Sequence, residues 1–227
     1  LQVSSNVGMV KIMQNLKPTT YWNWFKRLGL DKGIETDLFE STPGQIKSKE
    51  IFINQPIHQA VASYGQGFSI SPLKLVQLHA ALANGGYEVY PHVTFEFQRN
   101  SMDLNKNKFF SDSVSKIILN WMETVVDEGS GSDVKINGYR IGGKTGTAQK
   151  AINGIYSGIT CSFVAILPVE KPKYLVFVLI DEPNKPYAYG STVAVPVAKE
   201  IIESLIVLEK IPPSASHNAL IVNKPLN

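Results

Sequence analysis

The stretch Gly138-Tyr-Arg-Ile-Gly-Gly143-Lys144-Thr145-Gly146-Thr147-Ala-Gln149 supports two incompatible folds, and the choice between them sets the fold class of the chain. Its first eight residues satisfy G-x-x-x-x-G-K-[ST], the loop whose backbone amides cradle phosphates. Further on, Leu175-Val-Phe-Val-Leu-Ile-Asp181 has the form of the apolar strand and aspartate that would hold Mg²⁺. A phosphate loop needs a helix starting at Lys144, so that the helix amides and dipole meet the anion. Glycines follow instead at 146, 154 and 158, and each costs roughly 1 kcal/mol inside a helix. Asp133-Val-Lys-Ile-Asn137 is also too polar for the buried parallel strand that should come first. A nucleotide-binding enzyme using Gly138 to Thr145 is therefore the alternative reading, and the expectation is a strand.

As an edge strand, the same residues place Gly142, Gly143, Gly146 and Ala148 where another backbone or a ligand can come close. Lys144, Thr145 and Thr147 then offer one positive charge and two hydroxyls, a set suited to a carboxylate. From this hexapeptide alone, an exposed strand with a solvated lysine is equally open. Thr160 to Leu167 and Tyr174 to Ile180 are β-rich runs joined by Pro168-Val-Glu-Lys-Pro172, which predicts an antiparallel hairpin. Upstream the pattern is helical. Helices are expected at Val7 to Leu16, capped by Asn6, from Thr19 or Thr20 to Gly29, from Pro56 to about Tyr64, and from Ser71 to Asn84. Ser111 should cap another, with Val114, Ile117, Ile118, Trp121, Met122 and Val125 on its apolar stripe. Val93, Phe95 and Phe97 alternate like a strand, Glu128 to Ser132 reads as a flexible linker, and a last helix spans Thr192 to Leu208. Helices followed by a hairpin-rich sheet and a closing helix give an α+β fold: an antiparallel sheet flanked by helices plus a mostly helical lobe.

Composition narrows the classes without naming a function. The chain has 227 residues, 18% of them charged and 44% hydrophobic, and a formal charge of +3 without a basic run, so no nucleic-acid partner is indicated. The one cysteine, Cys161, excludes an internal disulfide framework and a cysteine-based zinc site. His58, His79, His92 and His217 show no ligand spacing, so no metal and no cofactor is expected, and His79 reads as a packed histidine. Trp22, Trp24 and Trp121 read as core, and Asp31, Glu35, Asp37 and Glu40 as solvated loop carboxylates. The start at Leu1 is taken as the cut end of something longer.

Ser4-Ser5-Asn6 reads by itself as a helix cap. Together with Lys144-Thr-Gly146 it matches two of the three motifs S-x-x-K, S-x-N and K-T-G of penicillin-binding proteins and serine β-lactamases. From Val3 to about Leu208 the chain resembles the C-terminal part of a class B penicillin-binding protein transpeptidase domain, closest to the cell-division, FtsI-like type. Tyr64-Gly65-Gln66-Gly67 with Ser71-Pro-Leu-Lys-Leu75 resembles the family's GQG and TPLQL segment. Ser162-Phe-Val164 with Pro168, and Tyr189-Gly190 ahead of Ala194-Val-Pro196, resemble its closing strands and helix. The expected boundaries are 1–208 for this part of the domain and 209–227 for a flexible tail.

One motif departs from the pattern. The strings Ser71-Pro-Leu-Lys74, Ser113-Val-Ser-Lys116 and Ser132-Asp-Val-Lys135 all follow Ser4-Ser-Asn6, so none stands where the nucleophile belongs. The expectation is a fragment without its nucleophile, inactive alone and prone to aggregate. A non-catalytic binding module is the other alternative. The resemblance implies a serine D,D-transpeptidase that cross-links peptidoglycan stem peptides through an acyl-enzyme and is trapped by β-lactam antibiotics. It implies that Ser4 relays protons, Asn6 bonds the substrate amide, and Lys144 supplies positive potential. Thr145 and Thr147 would hold the terminal carboxylate, with the Thr147 N–H as an oxyanion donor. Gly146 would keep the cleft clear, and Ser5, Gly65, Gln66 and Gly67 would line the substrate. Implied partners are a lipid-linked precursor, a membrane glycosyltransferase and division proteins. The implied location is the periplasmic face of the inner membrane, with the anchor outside these residues.

Overall fold

A computed structural model describes residues 1–38, 42–94, 107–152 and 155–214, and these form two compact units. One comprises Leu1–Val3 with the chain from Leu119 onward, and the other Ser4–Ile118.

The first unit is built on three antiparallel strands in the order β1-β2-β3: β1 Gly142–Ile152, β2 Ile155–Leu167 and β3 Tyr174–Asp181. The deciding stretch is a strand, with Lys144 opposite Val164 and Thr147 opposite Cys161, and no helix begins at Lys144. The phosphate-loop alternative is thereby overturned. Asp181 is likewise engaged at the sheet edge by Lys150 and Thr160. Alternation along β2 sends Cys161, Phe163, Ala165 and Leu167 to one face. Phe163, Ala165 and Leu167 join Val176 and Val178 of β3 in a core closed by α7, Val195–Leu208, through Val195, Ala198 and Ile202. Proline at 196 falls in the first turn of α7, where no intrahelical N–H is needed. A single π-turn, Gly190–Ala194, leads into it.

Two expectations in this unit need correction. Residues 129–132 form an ordered turn and not a flexible linker: the N–H groups of Gly129 and Gly131 both reach Val125 O, and Gly131 is buried. The chain after α7 also docks before it leaves the described residues. Ile211 lies in the core, its carbonyl accepts from Tyr139 Oη, and Ser214 N donates to Gly138 O. The remainder of the proposed tail, His217 included, lies outside the described residues.

The second unit is helical: α1 Asn6–Met13, α2 Pro18–Arg27, α3 Lys49–Asn54, α4 Pro56–Ser63 and α5 Pro72–Ala83. Tyr21, Phe25, Phe52 and Phe68 meet edge-on or tilted at 5.0 to 5.5 Å between ring centres and hold α2 to α3. Helix α3 was missed because six residues are too few to show a period. The cap of α1 is Ser5 and not Asn6, since Ser5 Oγ accepts from Gly8 N and Asn6 is already helical. The strand expected at Val93, Phe95 and Phe97 lies largely outside the described residues.

Helix α6, Asp112–Glu128, starts in this unit and ends in the other. Its expected stripe is not one buried face. Met122 and Val125 are buried, whereas Val114, Ile117 and Trp121 are about half exposed, as is Trp24 to a lesser degree. Trp22, half-buried, donates its indole N–H to Lys47 O. Trp22 packs against the aromatic core of this unit as expected, whereas Trp24 and Trp121 are not core residues. Asp31 and Asp37 are not simply solvated either. Asp31 pairs with Lys26, and Asp37 accepts from Val93 N, Thr94 N and Thr94 Oγ1 at 2.5 to 3.1 Å.

Two expected outcomes follow. Phe163→Ala removes a fully buried ring and should cost about 3–5 kcal/mol in denaturant unfolding; a loss under about 1 kcal/mol would show that the ring does not organise this core. The hydrogen bond from Thr94, helped by backbone donors, holds the Asp37 carboxyl down at about 2. A carboxyl lowered in the fold stabilises above its ordinary value and loses that contribution as pH falls through its folded value. The stability gap between wild type and Asp37→Asn should therefore close between roughly pH 4 and pH 2, read by acid titration of the folded signal.

Candidate active site

The residues singled out on β1 stand on the free edge of the described sheet, and each hydroxyl has a fixed partner. Thr145 Oγ1 lies 2.8 Å from Ser130 Oγ, in the turn after α6. Thr147 Oγ1 accepts from Gly190 N at 3.0 Å, at the start of the π-turn. Lys144 Nζ donates to Thr145 O at 2.9 Å. Half-burial of Lys144 lowers its pKa, because desolvation disfavours the ammonium form. The strand thus offers a desolvated cation and two oriented hydroxyls with an exposed Thr147.

The glycines answer first to internal contacts. A Cβ on Gly143 would come within 2.6 Å of the Phe163 ring, so this residue lets the core ring lie against the strand. A Cβ on Gly146 would meet Ser162 Oγ at 2.5 Å, and one on Gly190 would meet Gly146 O and Ser162 O at 2.6 Å each. The backbone at Gly190 thus lies close against that of Gly146. Ser130 was missed, being read as linker; only its place in a Gly-Ser-Gly turn one turn beyond a helix hinted otherwise.

The remaining predicted residues belong to the other unit. Ser4, Ser5 and Asn6 are exposed at the start of α1, and Ser4 has a φ of 49°, a region rarely adopted outside glycine and one that costs energy to hold. Helix α1 packs on α4, and α4 ends in the turn Gly65-Gln66-Gly67. Both glycines there have positive φ, and Gln66 N bonds Val61 O. Their local task is chain reversal.

None of the three displaced S-x-x-K strings is set up as a nucleophile. Ser71 Oγ caps α5 by accepting from Lys74 N, and Lys74 Nζ turns to Gln77. Ser113 Oγ meets Ser111 Oγ, and Lys135 pairs with Asp127. His58 bonds Gln55, and half-buried His79 bonds Leu75 O, with burial lowering its pKa.

The model of the penicillin-binding protein transpeptidase domain matches residues 1–203. The chain belongs to that family. A peptidoglycan D,D-transpeptidase FtsI homolog of Mesostigma viride is 43% identical over 238 residues, which cover 94% of this chain and 40% of that protein. The probable peptidoglycan D,D-transpeptidase PenA of Neisseria gonorrhoeae is 28% identical over 99% of this chain and 38% of its own. Among solved structures, the apo transpeptidase domain of Burkholderia pseudomallei penicillin-binding protein 3 superposes with a TM-score of 0.81 and 28% identity, over 93% of this chain and 63% of that one. The chain thus spans well under half the length of these two relatives. The antiparallel sheet and the helices of the described residues make an α+β fold, shared with these transpeptidase domains.

The packing of the transpeptidase edge strand is open to a direct check. Gly190→Ala forces a methyl group onto two carbonyl oxygens and should lower stability by about 1–3 kcal/mol. The Thr147 resonances should shift with it in an NMR spectrum. An unperturbed melt would mean that the π-turn is not seated on β1.

Proposed function

We propose that this domain serves a serine D,D-transpeptidase that cross-links peptidoglycan stem peptides during septal wall synthesis. The observation that carries the reading is the edge strand Lys144-Thr145-Gly146-Thr147, whose two hydroxyls are held by Ser130 and Gly190 beside a desolvated lysine. Such a strand suits the terminal carboxylate of a D-Ala-D-Ala stem, or the carboxylate of a β-lactam. The names of the relatives point the same way.

In the proposed reaction a serine hydroxyl attacks the penultimate D-Ala carbonyl carbon, the C–N bond to the terminal D-Ala breaks, and Ser4 passes the proton to the leaving amine. Negative charge on the carbonyl oxygen is met by the Thr147 N–H. An amine from a neighbouring stem then attacks the ester, releasing the serine and forming the cross-link. Asn6 bonds the substrate amide, Lys144 sets the potential, and Thr145 and Thr147 hold the carboxylate. Gly146 keeps that stretch of the cleft free of side chains, and Ser5 with Gly65, Gln66 and Gly67 shapes its wall.

This reading requires an attacking serine with its lysine, and a membrane anchor, from the longer proteins that the chain matches only in part. No described helix is long and apolar enough to cross a membrane. The site faces the periplasm, where lipid-linked precursors, a glycosyltransferase and division proteins are met.

A labelled penicillin tests this on the full-length gene product. Acylation is expected there and not in the 227 residues alone. Thr147→Ala and Lys144→Ala should each slow acylation about 10²–10³-fold, as loss of one oriented electrostatic contact does. Absence of label on the full-length protein, or label on the 227 residues, would overturn the proposal.

A further inference from the structure

Lys74 is a buried cation in the wrong place. It is 4% exposed and sits in the first turn of α5, where the helix dipole is positive. Among the described residues it makes no ion pair, and its ammonium has one hydrogen-bond acceptor, Gln77 Oε1 at 2.8 Å. Gln77 is fixed in that pose because its Nε2 donates to Val89 O at 2.7 Å. An ammonium has three donors, so one neutral acceptor leaves most of the desolvation cost uncovered. Burial accordingly pushes its pKa down, with Glu88 and Asp31 partly offsetting this from longer range.

The space around it is basic. Lys74 lines a cleft of about 450 Å³ together with Lys26, Arg27, Lys32 and Lys108, and among the described lining residues Glu88 is the one carboxylate. Lys26 is paired with Asp31 and Lys108 with Asp112. Arg27 is braced by its bond to Lys108 O and by stacking 4.7 Å from the Trp24 ring. Glu88 accepts from Asn107 at 2.8 Å. Arg27, Lys32 and Lys74 are left facing the one carboxylate Glu88, so the described lining keeps an excess of positive charge. Gly29, with φ +64° after α2, has no side chain beside Lys74, where a Cβ would stand 3.5 Å from Nζ.

We propose that this cleft binds a small soluble phosphate-bearing ligand, with Lys74 at its floor. Several lysine point charges around a recess suit the distributed charge of a phosphate or diphosphate, and the planar fork that favours a lone carboxylate contributes only through Arg27. The volume admits a ligand larger than a single ion. The anion would supply the acceptors that Lys74 lacks. The site involves none of the residues assigned to acyl transfer, so its test is separate from acylation.

The experiment is thermal unfolding and calorimetric titration of the full chain with inorganic pyrophosphate, against chloride at matched ionic strength. Pyrophosphate should raise the melting temperature of the wild type. Lys74→Met and Lys32→Gln should each weaken binding about tenfold or more, on the scale of one lost charged hydrogen bond. Without pyrophosphate, Lys74→Met should melt no lower than wild type, since an apolar chain of similar length replaces an uncompensated charge. Should Lys74→Met not fold, exposed Lys32→Gln decides alone. No response of the wild type at millimolar pyrophosphate, or a response untouched in the variants that fold, would overturn the site. So would binding confined to phosphatidylglycerol vesicles.

Discussion

The contact of the Phe163 ring with the bare backbone of Gly143 organises the sheet-bearing unit. Phe163 is fully buried, and a methyl group at 143 would overlap its ring. The strand can therefore lie close over the core only as glycine. That closeness holds β1 against the core in its observed register on β2, and register decides which face each side chain of the strand takes. A slip of one residue would turn Thr145 and Thr147 to the opposite face. With the register held, Thr145 meets Ser130 and Thr147 meets Gly190, two contacts from opposite flanks of the same edge.

The same packing explains why an exposed strand can hold polar groups still. Edge strands are open to solvent and to other chains, and hydroxyls on them usually rotate freely. Here one hydroxyl is tied to the turn after α6 and the other to the backbone before α7. Both anchors are parts of the chain that the core itself immobilises, through Val126 and Val134 on one side and Ala194 and Val195 on the other.

Much of this was legible in residues alone. Glycines at 146, 154 and 158 excluded the helix that a phosphate loop requires, and Ser71-Pro72 announced a capped helix that Ser71 Oγ indeed caps. The hairpin between β2 and β3 followed from two β-rich runs and a short proline-bounded turn. What escaped notice depended on distant partners. Ser130 became a site neighbour only because the turn after α6 reaches β1, a contact between residues fifteen apart with no local signature. Trp121 satisfied the helical period and yet lies on the exposed side, since periodicity gives a stripe and not what covers it. Ile211 looked like tail by composition, and a single apolar side chain was enough to bury it.

Two lysines show how burial converts an ordinary side chain into a ligand-seeking one. Lys144 is half-buried against its own strand and Lys74 almost wholly buried in the first turn of a helix, and desolvation lowers the pKa of both. The cost of such a cation does not depend on what lies nearby to neutralise it later; it is already present in the unliganded fold. An anion arriving at either position therefore recovers desolvation energy as well as forming new bonds, and binds better than it would to a surface lysine. Shape separates the two. On β1 the lysine turns to the carbonyl of Thr145, and the two neighbouring hydroxyls are tied to Ser130 and Gly190 along an open strand edge. Around Lys74 the charges surround a recess, a geometry for a tetrahedral anion or a pair of them. A single physical device, a cation held out of water, is thus set in two different backbone surroundings.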